Sequence, residues 1–269
     1  MASLKDIRLI ATDIDGTLLP EGTSGLNPEF FDLIRRLRDK GVAFCVASGR
    51  EYESIQRMFL PVRDDVIFMA ENGGYMVQGD TEISKIIYER SLLQEVLAYC
   101  RSVPNRFIML SASRSTYTDC MDEEFIARLE KGYGMSWVRV NDLRDVTDEI
   151  IKVAVYSNED AALTAEKANR HFEGRLHIMG AGAHWVDFVP IGVDKGSALK
   201  TLQKYLGLAR ENTMAFGDNL NDIGMLRQAA VSYAVEEARE EVRQAADAIA
   251  GSCKSDGVLS VLKKMEAAL

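Results

Sequence analysis

An apolar run, Ile7-Arg8-Leu9-Ile10-Ala11, leads almost directly into two acidic residues in Asp13-Ile14-Asp15-Gly16-Thr17. The run predicts a short buried β-strand. In open α/β sheets, ligands bind at the carboxyl ends of the strands, which is where these acids lie. Because residues two apart in an extended chain point the same way, we expect Asp13 and Asp15 to share one pocket. Two carboxylates in one pocket repel each other unless a cation or a proton lies between them. The stretch therefore indicates a metal ion or a shared proton.

The same stretch has a simpler interpretation. Asp-Gly is a frequent turn dipeptide, and an acid, a glycine and a threonine after a strand are more often a loop than a site. The other segments of the chain decide between the two interpretations.

Length, composition and charge narrow the class of protein. A chain of 269 residues with 47% hydrophobic residues is long enough for one large domain or two modest ones. Its net charge of -9 argues against nucleic-acid binding as the main activity. No stretch approaches the roughly 20 apolar residues of a membrane span, and no charged-then-apolar leader opens the chain. The scattered Cys45, Cys100, Cys120 and Cys253 have no zinc-site spacing, so we expect reduced, structural thiols in a soluble cytoplasmic protein.

Strands and helices alternate in the first third of the chain. The pattern predicts a helix over 28–40, a strand over 42–47, a helix opened by Ser48-Gly49, a strand over 66–70 and a turn at Glu71-Asn72-Gly73-Gly74. Continuous apolar strands that alternate with helices are typical of a parallel sheet covered on both faces.

The pattern changes between about residues 82 and 189. Strands with alternating polar and apolar residues and intervening helices predict an antiparallel sheet covered on one face. The predicted strands are 106–110, 137–140 and 150–156, and the predicted helices are 92–100, 123–131 and 160–172. The earlier pattern then returns, with helices over 195–206 and 222–229 and strands over 213–216 and 231–235. We therefore predict an α/β core formed by residues 1–81 and 190–269, interrupted by an inserted α+β domain, 82–189.

Polar residues suited to one task occur at four strand ends or helix starts of the predicted core. The first site holds the two acids described above. Ser48-Gly49-Arg50 follows the second strand, at a predicted helix N-terminus that favours an anion such as phosphate. Gly217-Asp218-Asn219-Leu220-Asn221-Asp222 adds two acids after a later strand, and Lys195 begins a helix directly after Asp194. The four stretches together favour one site.

Each stretch alone has an ordinary explanation. Lys195 is adequately explained as a solvated surface lysine behind an Asp194 N-cap, although a cation in the first turn opposes the helix dipole. Ser48 is an adequate N-cap without a substrate. Residues 217–222 read as an acidic or calcium loop, but Leu220 occupies the third ligand position of an EF-hand loop.

In this order the stretches resemble the four motifs of the haloacid dehalogenase superfamily. They are Asp13-Ile14-Asp15-Gly16-Thr17, Ala47-Ser48-Gly49-Arg50, Lys195-Gly196, and Gly217-Asp218 to Asn221-Asp222. The large insertion and Glu71-Asn72-Gly73 resemble the Cof-type branch with a type IIB cap. The resemblance spans nearly the whole chain and implies a Rossmann-like parallel-sheet core with an inserted α+β cap domain.

The resemblance also implies a Mg²⁺-dependent phosphatase that forms an aspartyl phosphate. Asp13 would attack phosphorus, and Asp15 would first donate and then accept a proton. Mg²⁺ would be held by Asp13, the Asp15 backbone carbonyl and Asp218, with Asp222 orienting these ligands. Ser48 and Lys195 would complete the catalytic set. The residues implied to hold the phosphoryl group are Ile14, Ser48, Gly49, Asn72, Lys195 and Asn221.

The substrate is implied only as a class, a small phosphate monoester such as a sugar phosphate or a phosphorylated cofactor. Type IIB caps supply the walls that meet the leaving group, and Ser113-Arg114-Ser115 and Gly180–His184 are polar, loop-like candidates. We expect Trp185 and Phe188 in the core and Asp187 facing the site. We expect His171, His177 and His184 to be surface or structural residues because they lack ligand spacing. The expected protein is a monomer or weak homo-oligomer without nucleic-acid or membrane partners.

Three alternatives remain open. A sugar phosphomutase shares this cap type and first motif, and net release of inorganic phosphate distinguishes it from a phosphatase. A receiver-type signalling module also combines an acid cluster with a phospho-accepting Asp, but its acceptor ends a middle strand and its domain is about half this length. A non-catalytic binding protein is disfavoured because every motif residue is intact.

Overall fold

The apolar run at residues 7–11 forms β1, Leu9–Thr12, within an eight-stranded sheet whose order is β14-β13-β12-β1-β2-β3-β4-β5. The computed structural model describes residues 4–20, 23, 25–103, 106–133, 137–157, 160–181 and 184–269. It divides the chain into two units. We call Met1–Ser84 with Asp194–Leu269 the core unit, and Lys85–Val193 the inserted unit.

The core unit alternates strands and helices. Before the insertion it contains β1 with α1 (Glu29–Asp39), β2 (Ala43–Ala47), α2 (Tyr52–Met58), β3 (Val66–Ala70), β4 (Tyr75–Gln78) and β5 (Thr81–Lys85), which runs one residue into the insertion. After it follow α6 (Lys195–Leu206), β12 (Thr213–Gly217), α7 (Ile223–Arg227), β13 (Val231–Ala234), α8 (Glu240–Ala245), β14 (Ala248–Ile249) and α9 (Gly257–Ala268).

The strands from β14 to β3 are parallel, and β3 pairs with β4 in antiparallel fashion. All residues of β1 and β3 are buried, as expected for parallel strands covered on both faces. In register, Thr12 of β1 lies opposite Val46 of β2 and Phe216 of β12. The carboxyl ends of these three neighbouring strands therefore lie side by side, and three of the four sequence motifs follow them, while Lys195 begins α6.

Two predicted helices begin later than expected. The helix predicted to open at Ser48-Gly49 begins at Tyr52 and is preceded by an extended Glu51. The Ser48 hydroxyl accepts a hydrogen bond from the Arg50 backbone N–H at 3.1 Å, a local turn that competes with helix formation. Ser48 is therefore not a helix N-cap, and residues 48–49 do not lie at a helix N-terminus. Similarly, α7 begins at Ile223 because residues 220–222 form a separate 3-10 turn, and it ends at Arg227, two residues before the predicted end.

The inserted unit contains a six-stranded sheet with the order β10-β11-β9-β6-β7-β8. Its elements are α3 (Arg90–Arg101), β6 (Arg106–Ser111), β7 (Thr116–Thr118), α4 (Glu123–Tyr133), β8 (Val138–Arg139), β9 (Lys152–Ser157), α5 (Ala161–His171), β10 (Leu176–Ala181) and β11 (Trp185–Pro190). The pairs are antiparallel except β7 with β8.

Both faces of this second sheet carry apolar clusters. On one face, Val153 and Val155 of β9 pack in the cluster that includes residues of α3 and α5. On the other, Ala154 packs with Phe125 of α4. The expectation of a sheet covered on one face was therefore wrong, because α4 contributes apolar side chains to the second face. Within the residues described, no helix is long and apolar enough to cross a membrane.

Candidate active site

Three carboxylates meet beside the ends of β1 and β12. Asp13 follows β1 directly, while Asp218 and Asp222 follow β12. Each contributes a carboxylate oxygen, and these oxygens all lie within 4.8 Å of one another. Because the two strands are adjacent and in parallel register, Asp13 meets residues 205 and 209 positions further along the sequence.

The loop after β12 is built around its own acids. Asp222 Oδ2 accepts hydrogen bonds from the backbone N–H groups of Asp218 and Asn219, each at 3.0 Å. The Thr17 hydroxyl donates to Asp218 Oδ1 at 2.8 Å and ties this loop to the turn after β1. Gly16 makes the approach possible, because a Cβ at this position would lie 2.4 Å from Asp218 Oδ2. Its φ of +88° is also in the left-handed region that favours glycine.

Lys195 is a buried cation between two of these acids. Its ammonium donates to Asp13 Oδ1 and to Asp222 Oδ1, both at 2.6 Å, and its side chain has 0% exposure. Asp194 is the helix N-cap, since its carboxylate accepts from the Ser197 N–H at 2.9 Å. The surface interpretation of Lys195 is therefore wrong. The two carboxylates offset the unfavourable position of a cation in the first turn of α6.

The cluster holds more negative charge than its lysine neutralises. Burial raises the pKa of Asp13 well above its usual range, and the nearby Asp222 and Asp218 raise it further against the lowering effect of Lys195. Burial and Asp222 raise the pKa of Asp218 to about 6. Burial alone would lower the pKa of Lys195, but Asp13 and Asp222 outweigh it and raise that pKa. Asp13 Oδ2 is buried and accepts no hydrogen bond from any residue that the structure describes.

The carboxylate of Asp15 lies outside the cluster that Asp13 joins. β1 ends at Thr12, and the backbone N–H groups of residues 17–19 all donate to the carbonyl of Ile14, which closes a turn. The extended geometry that would align the two acids therefore stops before Asp15, so its carboxylate is not among the three clustered acids. That Asp13 and Asp15 share one substrate pocket stays a prediction. A metal contact through the Asp15 backbone carbonyl remains a prediction.

The remaining motif residues lie close to one another in the core unit. The Asn72 N–H donates to the Ser48 carbonyl, and the Asn221 side-chain amide donates to Asn72 Oδ1, both at 2.9 Å. Gly49 lies against the same amide, since a Cβ on it would be 3.2 Å from Asn72 Nδ2. Asn72 has a φ of +56°, so the turn holds it in a sparsely populated conformation. Ile14 is fully buried as a whole residue, so its contact with a phosphoryl group stays a prediction.

Sequence reasoning missed two polar residues here. Arg50 pairs with Asp15 through two hydrogen bonds, and Thr17 fixes Asp218. Both residues lie inside quoted motifs, and their position at adjacent strand ends was the available signal. Their partners lie 35 and 201 positions away in the sequence, which local patterns do not identify.

The candidates in the inserted unit form their own contacts. Asp187 is buried and forms an ion pair with Lys152 at 3.3 Å. Phe188 is fully buried, as expected for a core residue, whereas Trp185 is partly exposed. Residues 113–115 connect β6 to β7, and within Gly180–His184 positions 182 and 183 lie outside the described residues. All three histidines are exposed, in agreement with the sequence, and all four cysteines are buried free thiols.

Nearly the whole chain is similar to known proteins. The family of haloacid dehalogenase-like hydrolases matches residues 10–262. The phosphatase YbjI of Escherichia coli, named for 5-amino-6-(5-phospho-D-ribitylamino)uracil, is 28% identical over 260 residues, 96% of each chain. YitU of Bacillus subtilis has the same name and is 26% identical over 95% of this chain and 96% of its own. A crystal structure from Eubacterium rectale is 31% identical with a TM-score of 0.89, covering 96% of this chain and 99% of that one.

Proposed function

The chain belongs to the haloacid dehalogenase-like hydrolases, and we propose that it hydrolyses a small phosphate monoester with Mg²⁺ through a phosphorylated Asp13. The observation that carries this proposal is the cluster of Asp13, Asp218 and Asp222, three carboxylates with one buried ammonium that contacts two of them. As a phosphoric monoester hydrolase, the protein needs positive charge at the phosphoryl oxygens, because those oxygens repel a nucleophile.

The donor set fits a hard divalent cation. Three carboxylates and one ammonium leave a formal charge of about -2 when all are ionised, which a dication would balance. Mg²⁺ prefers oxygen ligands and is commonly bound by one or two carboxylates together with water and substrate phosphate. Asp13 Oδ2 and the carboxylate of Asp218 suit this role. Both oxygens of Asp222 already accept hydrogen bonds, so we assign Asp222 to orienting the cluster.

The chemistry assigned to the chain's own residues consists of two transfers. The Asp13 carboxylate attacks phosphorus, and an O–P bond to Asp13 forms as the bond to the leaving oxygen breaks. Asp15 gives that oxygen a proton, so an alcohol leaves. Water then attacks the aspartyl phosphate while Asp15 accepts its proton, which releases inorganic phosphate and restores Asp13. When bound, Mg²⁺ would supply charge that stabilises the phosphoryl oxygens.

Several residues are assigned to binding the phosphoryl group. The Lys195 ammonium has three N–H donors, and Asp13 and Asp222 use two of them, which leaves one for a phosphoryl oxygen. Ser48, the Gly49 N–H, Asn221 and Asn72 are placed in the same role, together with the backbone of Ile14. Neutral donors of this kind orient the phosphoryl group without adding charge.

The proposed substrate class is sugar phosphates and phosphorylated cofactors. The names of two relatives make 5-amino-6-(5-phospho-D-ribitylamino)uracil the first compound to test. It belongs to this class, since its phosphate is carried by a polyol chain attached to a pyrimidine.

The test is a panel of phosphate esters assayed for inorganic phosphate, with Mg²⁺ or after exhaustive chelation. We expect release with Mg²⁺, none after chelation and none from Asp13→Asn. Asp64→Asn, at an exposed acid of the core unit, is the matched control and should behave like wild type. Full activity after chelation would contradict the metal assignment. An isomerised ester without phosphate release would indicate a mutase, and a stable phosphoprotein without turnover would indicate a signalling module.

A further inference from the structure

Arg50 and Asp15 form a two-point ion pair in the core unit. Arg50 Nε donates to Asp15 Oδ2 at 2.7 Å, and Nη2 donates to Oδ1 at 2.6 Å. The two side chains are only 27% and 25% exposed. This fork-to-fork arrangement fixes the plane of the carboxylate as well as its distance, which a single hydrogen bond does not do.

The position of Asp15 depends on this pair. Among the residues that the structure describes, Arg50 supplies the hydrogen bonds to the Asp15 carboxylate. Arg50 itself is anchored at its backbone, because its N–H donates to the Ser48 hydroxyl at 3.1 Å and its carbonyl accepts from the Glu71 N–H at 3.0 Å. The third guanidinium nitrogen, Nη1, donates to Met58 Sδ at 3.9 Å. Arg50, in the loop after β2, thus holds the side chain of Asp15, which lies in the loop after β1.

We propose that Arg50 is the positioning residue for proton transfer by Asp15; the inference rests on the proposed role of Asp15 as acid and base. An ionised carboxylate has about four lone-pair positions, and the guanidinium occupies two. The remaining positions can take a proton and face the leaving oxygen. Arg50 therefore fixes the direction of the carboxylate without blocking its function.

If Arg50 instead bound the phosphate directly, its loss would have different kinetic effects. A cation that bound phosphate directly would contribute equally to every phosphate ester, whatever its leaving group. A residue that orients Asp15 contributes only where a proton must be transferred. Two of the three guanidinium nitrogens of Arg50 donate to Asp15, which favours the second role.

The experiment measures phosphorylation of Asp13 by rapid quench under single-turnover conditions. Two esters are compared, p-nitrophenyl phosphate and the alkyl phosphate that wild type hydrolyses fastest. The nitrophenolate leaving group needs little protonation, whereas an alkoxide needs a proton. In Arg50→Ala we expect phosphorylation by the alkyl ester to slow by about 10–100-fold, the usual effect of losing a residue that orients a functional group. Phosphorylation by the nitrophenyl ester should stay within about twofold of wild type, since it makes little use of the acid.

The second step supplies another readout. Hydrolysis of the aspartyl phosphate needs Asp15 as a base after either ester, so Arg50→Ala should accumulate phosphoenzyme from p-nitrophenyl phosphate. Arg50→Lys keeps the charge without the fork and should fall between wild type and Arg50→Ala. If Arg50→Ala folds poorly, the same two esters are compared in Arg50→Lys instead. Arg57→Ala, at an exposed arginine of α2, is the matched control and should behave like wild type.

Equal slowing of phosphorylation by both esters would overturn the proposal, as would an equal rise in KM for both with kcat unchanged. Wild-type rates for both esters in Arg50→Ala would overturn it as well. A wild-type enzyme that forms no phosphoenzyme would instead refute the proposed function, so the two failures are distinguishable.

Discussion

Replacing Lys195 with Met removes the buried cation that contacts both Asp13 and Asp222. The ammonium lies 2.6 Å from an oxygen of each acid, and the side chain is fully buried. Methionine has a similar length and apolar stem, so packing is largely preserved while the charge is lost. Two buried carboxylates would then face each other and Asp218 without a counter-charge.

The expected loss of unfolding free energy is about 3–5 kcal/mol in metal-free buffer, the usual result of removing one partner from a buried ion pair. Added Mg²⁺ should reduce the loss because it binds the folded cluster and neutralises it. Turnover should fall by about two orders of magnitude or more, as expected when a charge contact to the reacting group is lost.

The assay is urea unfolding followed by circular dichroism, with chelator and with Mg²⁺, together with kcat on p-nitrophenyl phosphate. Lys200→Met is the matched control, because Lys200 is an exposed lysine of the same helix, and it should stay within about 0.5 kcal/mol of wild type. A Lys195→Met protein with wild-type stability and near-normal kcat would refute the assignment of Lys195 as the buried counter-ion of the cluster.

Two further predictions concern Asp218 and Gly16, the glycine whose missing side chain lets Asp218 approach. Because burial and Asp222 raise the pKa of Asp218 to about 6 in the folded protein, ionising it opposes folding, so metal-free protein should lose stability as pH rises from about 4 to above 6. Ionisation of Asp218 should lower the free energy of unfolding by about 1–3 kcal/mol over this pH range. Urea unfolding should show a smaller pH-dependent loss in Asp218→Asn than in wild type, and an equal loss in both proteins would contradict the prediction. Gly16→Ala places a Cβ 2.4 Å from Asp218 Oδ2 and should weaken Mg²⁺ binding measured by calorimetry, whereas Gly41→Ala, also at positive φ but with nothing within 4 Å, should not. Equal Mg²⁺ affinity in the two glycine variants would show that the close approach is unimportant.

The sequence predicted those parts of the fold that depend on local pattern. The predicted strand over 66–70 and helix over 195–206 agree with β3 and α6 at both ends. Both have uninterrupted periodicity and clear terminal signals, an Asp N-cap and a Gly after the last turn in the case of α6. The start of α2 was wrong because a side chain–backbone hydrogen bond at Ser48 competes with the helix, and periodicity carries no information on that bond.

The sequence indicated which acids belong to the cluster, but it did not predict all the contacts between the site residues. Strand-end logic brought Asp13 and Asp218 together, because the ends of adjacent parallel strands lie at one edge of the sheet. The helix dipole indicated that a cation at Lys195 is unusual. It could not predict that Lys195 is buried, because its two carboxylate partners come from other segments of the sequence. The pairing of Asp15 with Arg50 depends on the turn after β1, where an extended-chain argument no longer applies.

The central claim is that Asp13 becomes phosphorylated and that Asp15 is needed to release the phosphate. The most direct measurement is mass spectrometry of the peptide containing Asp13, after acid quench of Asp15→Asn mixed with p-nitrophenyl phosphate and Mg²⁺. A phosphoryl group should be found on Asp13, with one equivalent of nitrophenolate released rapidly and slow turnover afterwards. Asp13→Asn should release none and carry no phosphoryl group. Phosphate on another residue, or turnover in Asp13→Asn, would contradict the account.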